Sequence, residues 1–254
     1  MNIKRKWIQL EFFKKGMVFY HFIISIVLLL PLFFFVALSP LNADSLNSSR
    51  RTGINLLSFR FWESAYASSN ALKNASDKWE TRSSTPPFRD THVDHLIPKD
   101  DDGYPVQIPY DVPEFGPQTV STRIFPHLDG KYPGGRYEVF YDGVGRIDIG
   151  GDASQVPNGS SPGRILLNVT PQNQGIVLRI SESIEGNHIR NIRVIMPGTN
   201  PGDPLHPTFI NRLKGFRTIR FMDAQRTNNS SLERWDERVR PSYFAYGGDR
   251  GGAA

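Results

Sequence analysis

Short runs of alternating apolar and polar residues dominate the chain from residue 118 to residue 198. These runs read QTVSTRIF, GRYEVFYD, GRIDIGG, GRILLNVT, GIVLRISES and HIRNIRVIMPG, and turns rich in Gly, Pro and Asn separate them. An alternation of period two places successive side chains on opposite faces of a strand. Short strands separated by such turns predict an antiparallel β-sandwich of the jelly-roll type, so the predicted fold class is mainly β.

A continuous apolar run, Met17–Leu38, precedes this region and contains no Asp, Glu, Lys or Arg. At about 1.5 Å of rise per residue, a helix of this length crosses a hydrocarbon core of about 30 Å. The run therefore predicts a transmembrane signal anchor at residues 17–38, with the membrane as its partner. A cleaved signal peptide, with Leu41-Asn42-Ala43 as its cleavage site, is the alternative, and it would make the protein secreted.

The positive charge of the chain is concentrated before this run. The whole chain carries a net charge of +5, and residues 1–16 carry +4 of it. A basic segment before a membrane helix predicts a cytoplasmic leader at residues 1–16, a linker at residues 39–52 and an extracytoplasmic body. The remaining +1 is too little for a basic surface, so the sequence predicts no nucleic-acid partner.

The periodicity changes after residue 198. Pro207 can occupy the first position of a helix and Gly215 can end it, which predicts a short amphipathic helix between them. The run FRTIRFM at residues 216–222 then predicts a strand. This strand ends on a polar cluster that begins with Asp223, and polar residues at strand ends form the working face of (β/α) barrels.

Several separated blocks resemble a group of exported bacterial proteins related to glycoside hydrolases. The blocks are GINL at 53–56, DGYP at 102–105, GKYPGGRY at 130–137, YDG at 141–143, IRNIRVIMPG at 189–198, HPTFINRLKGF at 206–216 and RFMDAQRTNNS at 220–230, followed by Trp235 and Arg238. Members of this group are described as cellulase-like or cellulose-binding. The resemblance implies a β-sandwich at residues 53–198, followed at residues 199–254 by a truncated start of a (β/α)8 barrel.

The same resemblance implies a sugar groove rather than a complete active site. Hydrogen bonding and stacking in this groove are expected from Asp223, Asn228, Asn229, Trp235 and Arg238. Relatives tend to carry an aromatic residue where Ala224 follows Asp223. Glycoside hydrolysis needs two carboxylates, and the relatives take theirs from later barrel strands, so no catalytic residue is expected in this chain. In the alternative interpretation, Asp223 and Asn228 cap a loop and Trp235 covers an edge of the barrel.

Other candidate chemistry is excluded or weakly supported. The chain has no cysteine, which excludes thiol nucleophiles and thiolate metal sites. The motifs HVDH at 92–95 and DDDG at 100–103 lack the ligand spacing of a zinc or calcium site, so no metal or other cofactor is predicted. The aromatic side chains of Trp62 and Trp79 are expected in the core rather than as sugar platforms. Neither a G-x-S-x-G nucleophile motif nor a G-x-G-x-x-G dinucleotide motif is present.

Two functions from different classes remain. The first is a membrane-tethered, extracytoplasmic, carbohydrate-associated module, which is the N-terminal part of a glycoside-hydrolase-like protein and is not itself an enzyme; its partner is a polysaccharide. The second is a non-enzymatic, membrane-anchored adaptor whose β-sandwich recognises a protein or a cell-wall polymer.

Overall fold

Short strands and turns form most of the chain that the structure describes. The structure, a computed structural model, describes residues 52–57, 59–61, 67–225 and 232–247. The predicted leader, the predicted membrane helix at 17–38 and residues 39–51 of the predicted linker lie outside these ranges. Within them, no helix is long and apolar enough to cross a membrane.

The described residues contain eleven strands and one α-helix, numbered here in chain order. They are β1 (Gly53–Asn55), β2 (Glu80–Ser83), β3 (Tyr110–Val112), β4 (Gly116–Ile124), β5 (Gly135–Asp142), β6 (Gly145–Gly151), β7 (Ala153–Gln155), β8 (Arg164–Val169), β9 (Ile176–Ser183), β10 (Arg190–Ile195), α1 (Pro207–Leu213) and β11 (Thr218–Arg220). The described residues also contain three 3-10 helices: Ala71–Asn74 and Asp94–Leu96 lie between strands, and Trp235–Glu237 follows β11.

Strands β2 to β10 form two antiparallel sheets. One sheet has the order β2-β4-β9-β6, with β3 also pairing with β4, and the other has the order β10-β5-β8-β7. The prediction of a mainly β fold with antiparallel sheets is thus confirmed. The six predicted strand runs overlap β4, β5, β6, β8, β9 and β10.

Both sheets bury one face in the same hydrophobic core. In β9, Ile176, Leu178 and Ile180 are fully buried, while the residues between them are partly exposed. Tyr137 and Val139 of β5 make the same contribution from the other sheet. The two-residue period of the sequence therefore sets which side chains enter the core.

A short helix and a short strand follow the two sheets along the chain. Helix α1 begins at Pro207, and the side chain of His206 caps it by accepting a hydrogen bond from the Thr208 N–H at 3.2 Å. Strand β11 follows, and it pairs in parallel with β1, whose residues precede the two sheets in the sequence. The boundary between a β-sandwich and a barrel at residue 198 stays a prediction. The β1–β11 pairing joins residues from the two sides of this boundary.

The segment after the last 3-10 helix returns to the main core. Phe244 is fully buried and stacks on Trp79, with 4.8 Å between the ring centroids. Its backbone N–H donates to the Asp102 carbonyl at 3.0 Å. Trp79 is 3% exposed and donates from Nε1 to the Gly103 carbonyl, so it belongs to the core, as the sequence predicts. Trp62 lies outside the described residues.

Candidate functional site

The carboxyl ends of β1 and β11 bring two polar side chains together. Asn55 is the last residue of β1, and its Nδ2 donates to Oδ2 of Asp223 at 2.5 Å. Backbone hydrogen bonds fix this geometry, because the Leu56 N–H donates to the Arg220 carbonyl and the Ala224 N–H donates to the Leu56 carbonyl. The Oδ1 atom of Asn55 is buried, and no described residue hydrogen-bonds to it. We call the Asn55–Asp223 pair the strand-end site.

Trp235 and Arg238 form a second pair, on the surface. Trp235 begins a 3-10 helix and is 78% exposed. The Arg238 guanidinium lies against its ring, and Arg238 Nε donates to the Trp235 carbonyl at 3.2 Å. The Arg238 guanidinium covers one face of the indole, and most of the Trp235 residue is exposed to solvent. This pair therefore offers an aromatic surface on which a ligand can stack.

The predicted site residues therefore fall into three groups. Asp223 contacts Asn55, and Arg238 contacts Trp235. Among the described residues, no hydrogen bond or ion pair joins one group to the other. Asn228 and Asn229 lie outside the described residues.

A cavity of about 730 Å³ lies beside the strand-end site. Its walls include Leu56 and Ala224, which directly follow Asn55 and Asp223 in the chain. Apolar side chains from α1 and β11, among them Phe209 and Ile219, line one part of it. The volume is within the range of about 300–1,000 Å³ that is usual for small-molecule sites.

Lys73 supplies a charged group to the same cavity. Its ammonium donates to the carbonyls of Pro241, at 2.9 Å, and Tyr243, and lies 4.9 Å from the centre of the Tyr246 ring. Burial lowers the pKa of Lys73 to about 8, although the nearby Asp102 carboxylate opposes this shift. The contacts show that Lys73 holds the segment 241–246 against the 3-10 helix Ala71–Asn74.

Neither Asn55 nor Lys73 was predicted from the sequence. Asn55 and Asp223 are 168 positions apart, and a local pattern carries no signal for a parallel pairing of that range. The block GINL at 53–56 was the one sequence feature that pointed to Asn55, because it is part of the resemblance. Lys73 has no comparable signal, since its contacts come from a distant irregular segment.

Of the two motifs considered as metal sites, DDDG forms a turn and HVDH leads into the 3-10 helix Asp94–Leu96. Asp100 Oδ1 accepts hydrogen bonds from the backbone N–H groups of Asp102 and Tyr104, and Asp100 Oδ2 is 2.9 Å from His188 Nε2. Asp94 pairs with Lys99 at 3.0 Å. The described part of the chain contains no group of three His, Asp or Glu side chains arranged to hold a metal ion.

Comparison with known proteins gives no family assignment. No family model, no curated protein and no solved structure matches the chain.

Proposed function

We propose that this chain is a membrane-tethered, extracytoplasmic, carbohydrate-associated module, related to glycoside hydrolases but not itself catalytic. The observation that carries the proposal is the strand-end site, in which Asn55 and Asp223 meet at the carboxyl ends of parallel strands next to a cavity of about 730 Å³. An amide and a carboxylate provide donors and acceptors for sugar hydroxyls. The proposed tether is residues 17–38.

The proposal also includes the arrangement of the strands, namely a β-sandwich followed by the start of a barrel. The two antiparallel sheets with their shared core support a β-sandwich of the jelly-roll type. The parallel pairing of β1 with β11, together with the preceding helix α1, supports the start of a (β/α) barrel. In such a barrel the strand-end site would lie on the face that binds ligands.

The exposed Trp235 supports carbohydrate as the ligand class. The faces of sugar rings carry C–H groups that pack on aromatic rings, and Trp235 is 78% exposed beside Arg238. The absence of catalysis is proposed because the hydrogen-bond partner of Asp223 is an amide, whereas glycoside hydrolysis needs two carboxylates on opposite sides of the scissile bond.

Pull-down on insoluble polysaccharides tests the proposal. The full chain, solubilised in a detergent without a sugar headgroup, is expected to bind cellulose or another cell-wall polysaccharide. Trp235→Ala is expected to weaken binding about two- to tenfold, because an aromatic contact contributes about 0.5–1.5 kcal/mol. Phe88→Ala is the matched control, since Phe88 is also exposed, at 58%, and is not part of either proposed pair.

The outcomes separate the two functions. Binding that Trp235→Ala and Asp223→Ala both reduce supports the proposal. Failure to bind every polysaccharide contradicts it and favours the membrane-anchored adaptor. A panel of chromogenic glycosides is expected to give no hydrolysis above blank, and turnover would show that the chain is an enzyme.

A further inference from the structure

A second cavity, of about 610 Å³, lies at the end of β4. Its walls include Phe61, Trp79, Glu80, Thr122, Arg123 and Gln174. None of these residues lines the first cavity or belongs to the strand-end site. We call this cavity the β4 pocket; its walls combine aromatic side chains with hydroxyl, amide and charged groups.

Thr122 places an unused hydroxyl at this pocket. It lies on the face of β4 that also carries Val120 and Ile124, and it is only 1% exposed. Its Oγ1 is buried, and no described residue hydrogen-bonds to it. A buried hydroxyl without a partner destabilises the folded state, so a partner from outside the chain, either water or a ligand that enters the cavity, would stabilise it.

The four lysine, arginine, aspartate and glutamate side chains that line the pocket, Lys78, Glu80, Asp94 and Arg123, have formal charges that sum to zero. Arg123 Nε lies 3.2 and 3.3 Å from the two oxygens of the Glu80 carboxylate. Asp94, which also lines the pocket, pairs with Lys99 at 3.0 Å. A charged ligand gains no net attraction from lining charges that sum to zero, whereas a neutral ligand with hydroxyl groups can hydrogen-bond to the two ion pairs as they stand.

The loop 172–175 contains Asn173 and Gln174, whose side chains carry amides, and hydrogen bonds from its backbone hold this loop in place. The buried Asp152 carboxylate accepts hydrogen bonds from the backbone N–H groups of Gln172 and Gly175, both at 2.9 Å. Gly175 has a φ of +71°, and a Cβ at this position would lie 2.4 Å from the Ile124 carbonyl oxygen. The loop therefore packs directly on the end of β4, and Asn173 and Gln174 of this loop line the pocket.

We propose that the β4 pocket binds a neutral, hydroxyl-rich ligand, namely a sugar unit of an uncharged oligosaccharide. Phe61 provides apolar surface for the ring, while the carboxylates, the amides and the Thr122 hydroxyl provide hydrogen-bonding groups. This site is separate from the strand-end site and the Trp235–Arg238 pair, and it does not depend on ligand binding at either.

Calorimetric titration of the full chain tests the site. The protein is kept in a detergent without a sugar headgroup and titrated with cellotetraose, xylotetraose, mannotetraose and the charged tetragalacturonate. At least one neutral tetrasaccharide is expected to bind, more tightly than tetragalacturonate and with an affinity that 50 mM and 500 mM salt leave nearly equal. Thr122→Val and Gln174→Ala are each expected to weaken this binding at least fivefold.

Thr119→Val provides the matched control. Thr119 lies on the same strand but does not line the pocket, so this variant is expected to bind like the unaltered protein. Thr122→Val is also expected to keep or raise the thermal midpoint, because it removes a buried hydroxyl that has no partner. A loss of binding together with a retained midpoint separates ligand contact from misfolding.

Every other outcome overturns the proposal. It is wrong if no neutral tetrasaccharide binds, if tetragalacturonate binds more tightly, or if Thr122→Val and Gln174→Ala bind normally. Oligosaccharide binding that disappears in Trp235→Ala but not in these variants would support the proposed function while excluding the β4 pocket.

Discussion

At the residue scale, single buried polar side chains hold the irregular parts of this molecule together. Asp152 Oδ2 accepts hydrogen bonds from Tyr132 Oη at 2.7 Å and from two backbone N–H groups of the loop 172–175. Burial, and then the hydrogen bond to Asp152, raise the pKa of Tyr132, so its phenol remains a donor well above neutral pH. One carboxylate thus joins two loops that are distant in the sequence.

Asp152→Asn is therefore expected to destabilise the fold. The amide loses the negative charge that strengthens three hydrogen bonds, and hydrogen bonds to charged groups contribute about 1.5–3 kcal/mol. A loss of about 2 kcal/mol in the free energy of unfolding should appear in urea titrations monitored by circular dichroism. Asp142→Asn is the control, because Asp142 is exposed and its loss is expected to stay within about 0.5 kcal/mol. Equal effects at the two positions would contradict the role given to Asp152.

His206 makes the start of α1 sensitive to acid. Its Nδ1 can accept the Thr208 N–H only when the ring is neutral, and burial, followed by the charge of Arg212, lowers its pKa. As the pH falls below about 6.5, the unfolded chain takes up this proton before the folded chain does. The contribution of His206 to the free energy of unfolding is therefore expected to decrease from pH 7 to pH 5.

His206→Asn isolates this contribution. Asn is a good helix cap and does not titrate in this range, so the variant should keep the helix but lose part of the pH dependence. Urea titrations at pH 7, 6 and 5 measure the difference between the two proteins. The same decrease in both would show that other groups cause the loss in acid.

These side chains show what a sequence reveals about single residues. Asp223 was predicted because it directly follows a strand with a clear alternation of apolar residues. Asn55, Asp152 and Thr122 were not predicted, because their importance depends on partners, or on the lack of a partner, that only the folded chain defines.

At the element scale, the long strands were easier to predict than the short ones. β4, β5 and β9 are long enough to show the two-residue period. The short β3 and β7 have three residues each, too few for a periodicity. The segment 241–247 has no regular secondary structure, and Tyr243, Phe244 and Ala245 bury it in the main core.

Phe244→Ala tests whether this segment belongs to the core. The ring is fully buried against Trp79 and Tyr104, and its removal leaves a cavity, so a loss of about 3–5 kcal/mol in the free energy of unfolding is expected. Phe88→Ala, at a ring that is 58% exposed, should change stability by less than about 0.5 kcal/mol. The measurement is urea unfolding monitored by tryptophan fluorescence. A small effect at Phe244 would mean that the segment packs only loosely on the core.

At the scale of the whole molecule, composition and charge predict the membrane topology, whereas the folded structure determines where the two cavities lie. The position of the basic residues before the apolar run 17–38 predicts which side of the membrane each part occupies. The two cavities, by contrast, are formed by residues from distant parts of the chain. Local patterns gave no signal for either of them.

The absence of cysteine allows a direct test of the predicted topology. Asn2→Cys and Ser45→Cys each introduce the only thiol, one on either side of the apolar run. In intact spheroplasts of a bacterial host, a membrane-impermeant maleimide is expected to label position 45, while position 2 reacts only after lysis. Labelled position 45 in the membrane fraction would support an uncleaved anchor, whereas a shortened, soluble product would support a cleaved signal peptide. Labelling of position 2 in intact spheroplasts would reverse the predicted orientation and place the proposed sugar sites in the cytoplasm.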